Sequence, residues 1–288
     1  ASYRTVDVGG TSSTLRATRF PLLMLGGPVA ARLVLAGGFT TYLDRSWTVT
    51  IRDSLVLRGV NQRYTDSLTS DGSVADLRLA LAGRLGQRLA LGGAVHLLAG
   101  STRVTAQRRF DDTTYHVVQQ NDEIRYDGYG VSGSAVVAVA PGLRVALWGR
   151  SDNRLRSRVG GATVAETDLP RMAGGGVRFV PSPSARFAAS AAWRSWSRAG
   201  AGAFDTWSWS AGAELGGLAP FRFGVRGGQL PFGPGTTPPT EFAVAAGLGR
   251  IFSAGHGLID LGLERLRRQG GGLTEQVWTL LVGITIRP

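Results

Sequence analysis

The feature that most constrains this chain is an alternation of apolar with small or polar residues, repeated along nearly its whole length. The stretch LRLALAGRLGQRLALGGAVHLLAG, residues 77–100, shows it most cleanly. Leucine occupies nearly every second position, the pattern breaks at RLGQR, and then it resumes. A period of two puts alternate side chains on opposite faces of a β-strand. Two such runs joined by a short turn containing glycine read as a hairpin. The oily face has two possible destinations, a protein core or lipid.

The same pattern predicts about fourteen strands, at 14–25, 29–42, 46–63, 73–85, 87–108, 122–140, 142–156, 166–180, 184–197, 204–215, 220–229, 240–253, 257–267 and 274–287. No helix of any length is predicted, and no segment reaches the ~20 apolar residues of a membrane helix. The links alternate in character. Tight turns are expected at 84–88, 140–143, 181–184, 216–219 and 253–257. Longer polar links are expected at 64–72, 110–121, 153–165, 198–203, 230–239 and 268–272. Short turns at one end and long loops at the other are the asymmetry of an outer-membrane barrel, with turns periplasmic and loops extracellular. On that reading both termini are periplasmic. Residues 1–13 are an N-terminal segment, a linker or the remnant of a plug, and 14–288 form the barrel.

Sorting the faces decides where the oil points. Leu89, Leu91, Val95 and Leu97 share one side, and Ala90, Gly92, Ala94 and His96 the other. Leu143, Val145 and Leu147 oppose Arg144, Ala146, Trp148 and Arg150, while Phe221, Phe223 and Val225 oppose Arg222, Gly224 and Arg226. Glycine and alanine are poor choices for the watery face of a sandwich, where they have low β-propensity and nothing to pack. Inside a barrel they relieve crowding around arginines. Closure also removes the edges that fourteen strands would otherwise expose, and hydrocarbon tolerates no unpaired backbone. The reading is therefore an all-β, antiparallel transmembrane barrel. Trp193, Trp207 and Trp209 fall near strand ends, where an interfacial aromatic belt would lie.

Composition removes several function classes. The net charge is +12 and all 32 basic residues are arginine, yet they are scattered about one per strand rather than gathered in a patch, which argues against nucleic acid. There is no cysteine, hence no thiolate metal site. His96, His116 and His256 have no metal-ligand spacing, so no metal or other cofactor is expected. Glycine runs such as AGGGVRF, residues 173–179, lie between strands, without the helix N-terminus that cradles a phosphate. His96 lies on the inward face beside the strand that carries Ser132 and Ser134. A Ser–His pair is the raw material of nucleophilic catalysis, but a lumenal histidine bonded to its neighbours is the commoner arrangement, and the chain is read as a non-enzyme.

The side chains expected to line the lumen and any substrate path are Arg78, His96, Arg144, Trp148, Arg178, Arg194, Glu214, Arg222, Arg226, Asp260 and Glu264, with Arg186 and Glu241 also inward. The charged ones either pair across the lumen and stiffen the barrel, or grip an anionic head group with two hydrogen bonds. Asp53 is the exception. By parity it faces outward between Ile51 and Leu55, which predicts a bulge, a kink or an opening in the side wall.

Four stretches together resemble the FadL-type outer-membrane transporter family: RLGQRLALGGAVHLLAG (84–100), VAPGLRVALWGRS (139–151), GGVRFVPSPSARFAASAAWRSWS (175–197) and FRFGVRGGQLPF (221–232). In each, a strand, a short Pro- or Gly-containing turn and a second strand recur. The resemblance implies a fourteen-stranded barrel that passes fatty acids and other hydrophobic molecules. It also implies an N-terminal plug with an Asn-Pro-Ala type motif, for which 1–13 is too short, and the final TIRP lacks the terminal aromatic common in such barrels. The function expected is passive transport of small hydrophobic molecules across the outer membrane of a Gram-negative-type bacterium. The expected partners are outer-membrane lipid, lipopolysaccharide and a hydrophobic substrate. The alternative is a non-transporting barrel that serves as subunit or scaffold of an outer-membrane complex or secretion machinery.

Overall fold

The computed structural model describes residues 2–8, 11–17, 22–233, 235–252 and 256–286. Apart from one 3₁₀ turn, Trp196–Ala199, its regular structure is all β. The strands are β1 (Ser2–Val8), β2 (Thr11–Ala17), β3 (Leu22–Ala30), β4 (Leu33–Asp44), β5 (Trp47–Leu57) and β6 (Val60–Leu85). Next come β7 (Leu89–Phe110), β8 (Val118–Ala140), β9 (Leu143–Asp152), β10 (Leu155–Val159), β11 (Ala162–Thr167) and β12 (Met172–Ser182). The last six are β13 (Ala185–Arg194), β14 (Thr206–Leu215), β15 (Phe221–Gln229), β16 (Thr240–Phe252), β17 (Gly257–Gly270) and β18 (Leu273–Ile286). Every pairing is antiparallel, and the first strand closes on the last, with Ser2 opposite Thr279 and Val8 opposite Leu273.

The strand count departs from the fourteen expected, because the chain is assigned eighteen segments in one sheet. Several staves are broken in two. β4 pairs with residues 73–83 of β6 and β5 with residues 60–70, so the two are successive halves of one stave. β9 and β10 likewise share β8. Their partners β12 and β11 are split at the same level.

A second correction concerns 1–13. Much of this segment is in the barrel wall, since β1 pairs with β18 on one side and with β2 on the other. Its polar sequence hid a strand that needs no leucines on both faces. The same error produced a false loop at 64–72. This stretch is the N-terminal half of β6, paired without a break to β7. An apolar band about 25 Å tall needs only ~10 residues of tilted strand. Most of the 26-residue β6 therefore lies outside the membrane, as a water-exposed ribbon rich in Thr, Ser and Asp. The strand expected at 46–63 also conceals a reversal. Arg58 and Gly59 both take positive φ (51° and 80°), the geometry of a tight hairpin turn. The gap expected at 26–28 is strand, and the reversal falls after Ala30.

The faces sort as the alternation requires. Leu79 (54%), Val95 (57%), Val131 (57%) and Leu147 (63%) are exposed on the outer surface. Their inward neighbours His96 and Asp76 are buried. So large a continuous apolar exterior is incompatible with water and suits acyl chains. Inside, Val74, Leu98, Tyr126, Leu155 and Leu169 form a small apolar cluster. Leu155 and Leu169 flank the breaks in their staves, which let both residues turn in over the lumen.

Candidate functional site

The lumen carries two different polar arrangements. On the wall formed by β13 to β18, charges pair from strand to strand. Glu214 accepts from Arg186 and, at 2.6 Å, from Arg222 Nε; Arg222 also reaches Asp260. Arg226 donates to both oxygens of Glu264 (2.9 and 3.0 Å) and to Glu241 (2.9 Å). Glu241 in turn accepts from Arg268 at 3.0 Å, and Arg268 reaches Glu275 at 3.1 Å. Register explains the contacts. Glu214 stands directly opposite both Arg186 and Arg222, and Glu241 opposite Arg268. Opposite charges at facing positions are the favourable cross-strand case.

The second arrangement spans β4, β6, β7, β8 and β9. The ring of His96 is buried, with Nδ1 at 2.9 and 3.1 Å from the two oxygens of Asp76 and Nε2 at 2.9 Å from Ser132 Oγ. Asp76 also accepts from Arg150 Nη1 at 2.5 Å. Arg150 Nε is held by Asp152 (2.8 and 2.9 Å), which accepts from the Tyr42 hydroxyl at 3.3 Å. Cross-strand geometry makes this possible. Arg78 faces His96, His96 faces Gly130, and Ser132 faces Arg150, so Asp76 and Ser132 reach the imidazole diagonally from either side. Gly130 is required there, because a Cβ at that position would collide with the carboxylate of Asp152.

Of the expected lumen residues, the structure brings Glu214, Arg222 and Asp260 together in one group and Arg226 and Glu264 in another. Arg194 donates to Ser208 at 3.0 Å. Arg78 lies against Met24, with Nη2 3.5 Å from the sulfur and its Nε buried without a hydrogen-bond partner. Trp148 lies over Gly174, where a Cβ would come within 2.7 Å of the indole. Arg144 and Arg178 stand apart from these groups. They are exposed and directly opposite one another across β9 and β12.

Asp53 requires a correction. The structure puts it on the opposite face from the one parity gave: Asp53 stands opposite Tyr64, on the face of β6 that also carries Asp66, Ser70 and Asp76, because the shift between Thr41 and Leu43 switches the faces of the stave before β5 begins. The β5–β6 register itself runs through Asp53 without interruption, from Trp47 opposite Ser70 to Leu57 opposite Val60. Its carboxylate accepts from its neighbour's backbone, Ser54 N, at 2.7 Å. The residue lies on the ribbon beyond the apolar band, where its carboxylate also accepts from the Tyr64 hydroxyl at 3.5 Å, so it is not set against lipid. The real irregularities of this stave are the shift between Thr41 and Leu43 and the break between β4 and β5.

The sequence did not single out Asp76, Asp152 or Tyr42, and it placed Arg150 on the inward face without a role. The signal was present in VADLRL and GRSD, where Asp76 and Arg78, and likewise Arg150 and Asp152, sit two apart on the inward face. What the sequence lacked was the register that places these pairs beside His96. Among the described residues, no three His, Cys, Asp or Glu side chains converge as a metal-ligand set.

No protein-family pattern and no curated protein matches the sequence. Solved structures do match its fold. A structure of the CymD monoaromatic hydrocarbon channel aligns over 100% of this chain and 86% of its own, with a TM-score of 0.64 and 13% identity. A Pseudomonas aeruginosa FadL homologue aligns over 99% and 88%, at 0.60 and 13%. A mutant of the TodX monoaromatic hydrocarbon channel aligns over 100% and 88%, at 0.59 and 12%. At this identity the likeness is one of architecture, and this chain has the barrel fold of the FadL-type channels.

Proposed function

We propose that this chain is a passive channel for small hydrophobic molecules in the outer membrane of a Gram-negative-type bacterium. The carrying observation is the inner surface. Its charges are largely consumed in pairs within the wall, and between them lie rows of glycine and alanine. Such a surface neither traps an apolar solute nor rejects it by bulk. The fold likeness to channels named for monoaromatic hydrocarbons supports the same reading. The path runs along the lumen past Arg78, His96, Trp148, Arg194 and the paired wall. The exposed arginines Arg144 and Arg178 lie near the short-turn end, beside the β8–β9 turn. Both termini face the periplasm, the outer face contacts lipid, and the extended ribbons reach among lipopolysaccharide head groups. Passage down a gradient needs no cofactor and no covalent step.

The test is uptake of a labelled monoaromatic hydrocarbon or fatty acid by proteoliposomes. The expected result is a rate well above that of protein-free vesicles. Equal rates would remove the channel reading.

A further inference from the structure

The Asp76–His96–Ser132 relay is unlike the rest of the lumen. On the opposite wall, the carboxylates described above hold arginines. Here a buried carboxylate holds one ring nitrogen of a buried histidine while the other meets a serine hydroxyl. This is the order nucleophile, base, orienting acid, and such a group is recognised by geometry and roles rather than by sequence spacing. We propose that Ser132, His96 and Asp76 form an ester-hydrolysing centre on the lumen wall, with Arg150 as the donor to the developing oxyanion.

Three further observations support the assignment. The first is an unused donor. Arg150 stands directly opposite Ser132; its side chain is 10% exposed, its Nε and Nη1 are bound by Asp152 and Asp76, and its Nη2 is buried with no partner. A preorganised donor of this kind, left open in the ground state, is what charge developing on a carbonyl oxygen requires. The second is the surroundings. The apolar cluster of Val74, Leu98 and Tyr126 lies toward the ribbon side of Asp76 and His96 and keeps that flank dry. The third is room for a substrate. Ser132 faces Ala94, which faces Ala80, which faces Ala36, which faces Gly26. A trough of minimal side chains therefore runs across four strands and ends at the serine hydroxyl. It suits the apolar acyl or aryl part of a carboxylic ester.

The chemistry balances with water as the only co-reactant. Ser132 Oγ bonds to the carbonyl carbon as its proton passes to His96 Nε2, and the carbonyl electron pair moves onto the oxygen beside Arg150 Nη2. Collapse breaks the ester C–O bond, and the leaving alcohol takes the proton from His96. Water then adds to the acyl carbon and gives a proton to His96. The second collapse releases the carboxylic acid and returns that proton to Ser132. Asp76 touches no substrate and is a positioning residue.

The experiment uses the full barrel in detergent, with a fluorophosphonate probe and a p-nitrophenyl ester of a medium-length acyl chain. We expect covalent labelling located at Ser132 by peptide mass spectrometry, loss of labelling and hydrolysis in Ser132→Ala, and for Asp76→Asn a kcat reduced on the order of 10³-fold with KM within about twofold. Heat-modifiable gel migration checks that each variant is still a barrel. Folded wild-type protein that neither labels at Ser132 nor hydrolyses the ester faster than Ser132→Ala overturns the proposal. So does an unchanged kcat in folded Asp76→Asn. Hydrocarbon flux is measured on the same wild-type preparation: flux without labelling removes only the hydrolytic centre, and labelling without flux removes only the channel.

Discussion

The two walls of the lumen hold their charges in opposite ways. On β13 to β18 the ion pairs are mostly partly wetted, with side chains 16–47% exposed and Glu275 at 9%, and they join either facing strands or, for Arg222–Asp260 and Arg226–Glu264, strands with one between them. On β6 to β9 the groups are nearly dry: Asp76 is 2% exposed, His96 4% and Arg150 10%. A wetted ladder loses little when one rung is removed, because water replaces the partner. A dry cluster loses much, because the abandoned charge has nowhere to turn. The first arrangement is wall-building; the second concentrates polar chemistry at one place.

That contrast sets the order of expected effects. Asp76→Ala leaves Arg150 and His96 without their shared carboxylate in a buried site, and should destabilise the barrel by about 3–5 kcal/mol, read from denaturant unfolding in lipid vesicles by tryptophan fluorescence. Gly130→Ala forces the Asp152 carboxylate off its seat and should cost about 1–3 kcal/mol in the same assay. Glu214→Gln on the wetted wall should cost about 1 kcal/mol or less; a loss as large as that of Asp76→Ala would erase the distinction between the walls.

The smallest effect belongs to the ribbon. Hydrogen bonds from Arg108, at 2.8 and 2.7 Å, hold the Asp66 carboxyl below the usual aspartate range. A lowered folded-state pKa means that the pair's contribution is present above the ordinary aspartate pKa of ~4 and is lost only as pH falls through the lower folded value. In an NMR titration the Asp66 carboxyl should therefore remain ionised when free aspartates are half protonated. A midpoint at the ordinary value would show that the ribbon pair does not form.

The sequence made some of this legible and hid the rest for physical reasons. From residue 73 onward the lipid-facing leucines marked most strands, their faces and the tight turn at Gly86, which takes φ 71°, but the link expected at 153–165 is largely the polar strands β10 and β11. Where the chain leaves the hydrocarbon that marker disappears, because a ribbon in water needs no leucine. Hence 64–72 read as a loop and much of 1–13 as a linker, although both are paired strand. The Arg58–Gly59 reversal was hidden because arginine seldom adopts positive φ. His96 and its serine neighbour were visible by parity. Asp76 was visible only as an inward residue, since its diagonal reach to His96 depends on register, which a two-residue period leaves open.

The central claim is the direction of the two faces, and the absence of native cysteine makes it directly measurable. Single cysteines placed one at a time at 91, 92, 94, 95 and 97 can be spin-labelled in a reconstituted bilayer and their collisions compared for oxygen and for a water-soluble nickel chelate. The account predicts high oxygen and low nickel exposure at Leu91, Val95 and Leu97, and the reverse at Gly92 and Ala94. The opposite phase, or equal exposure along the strand, would contradict it.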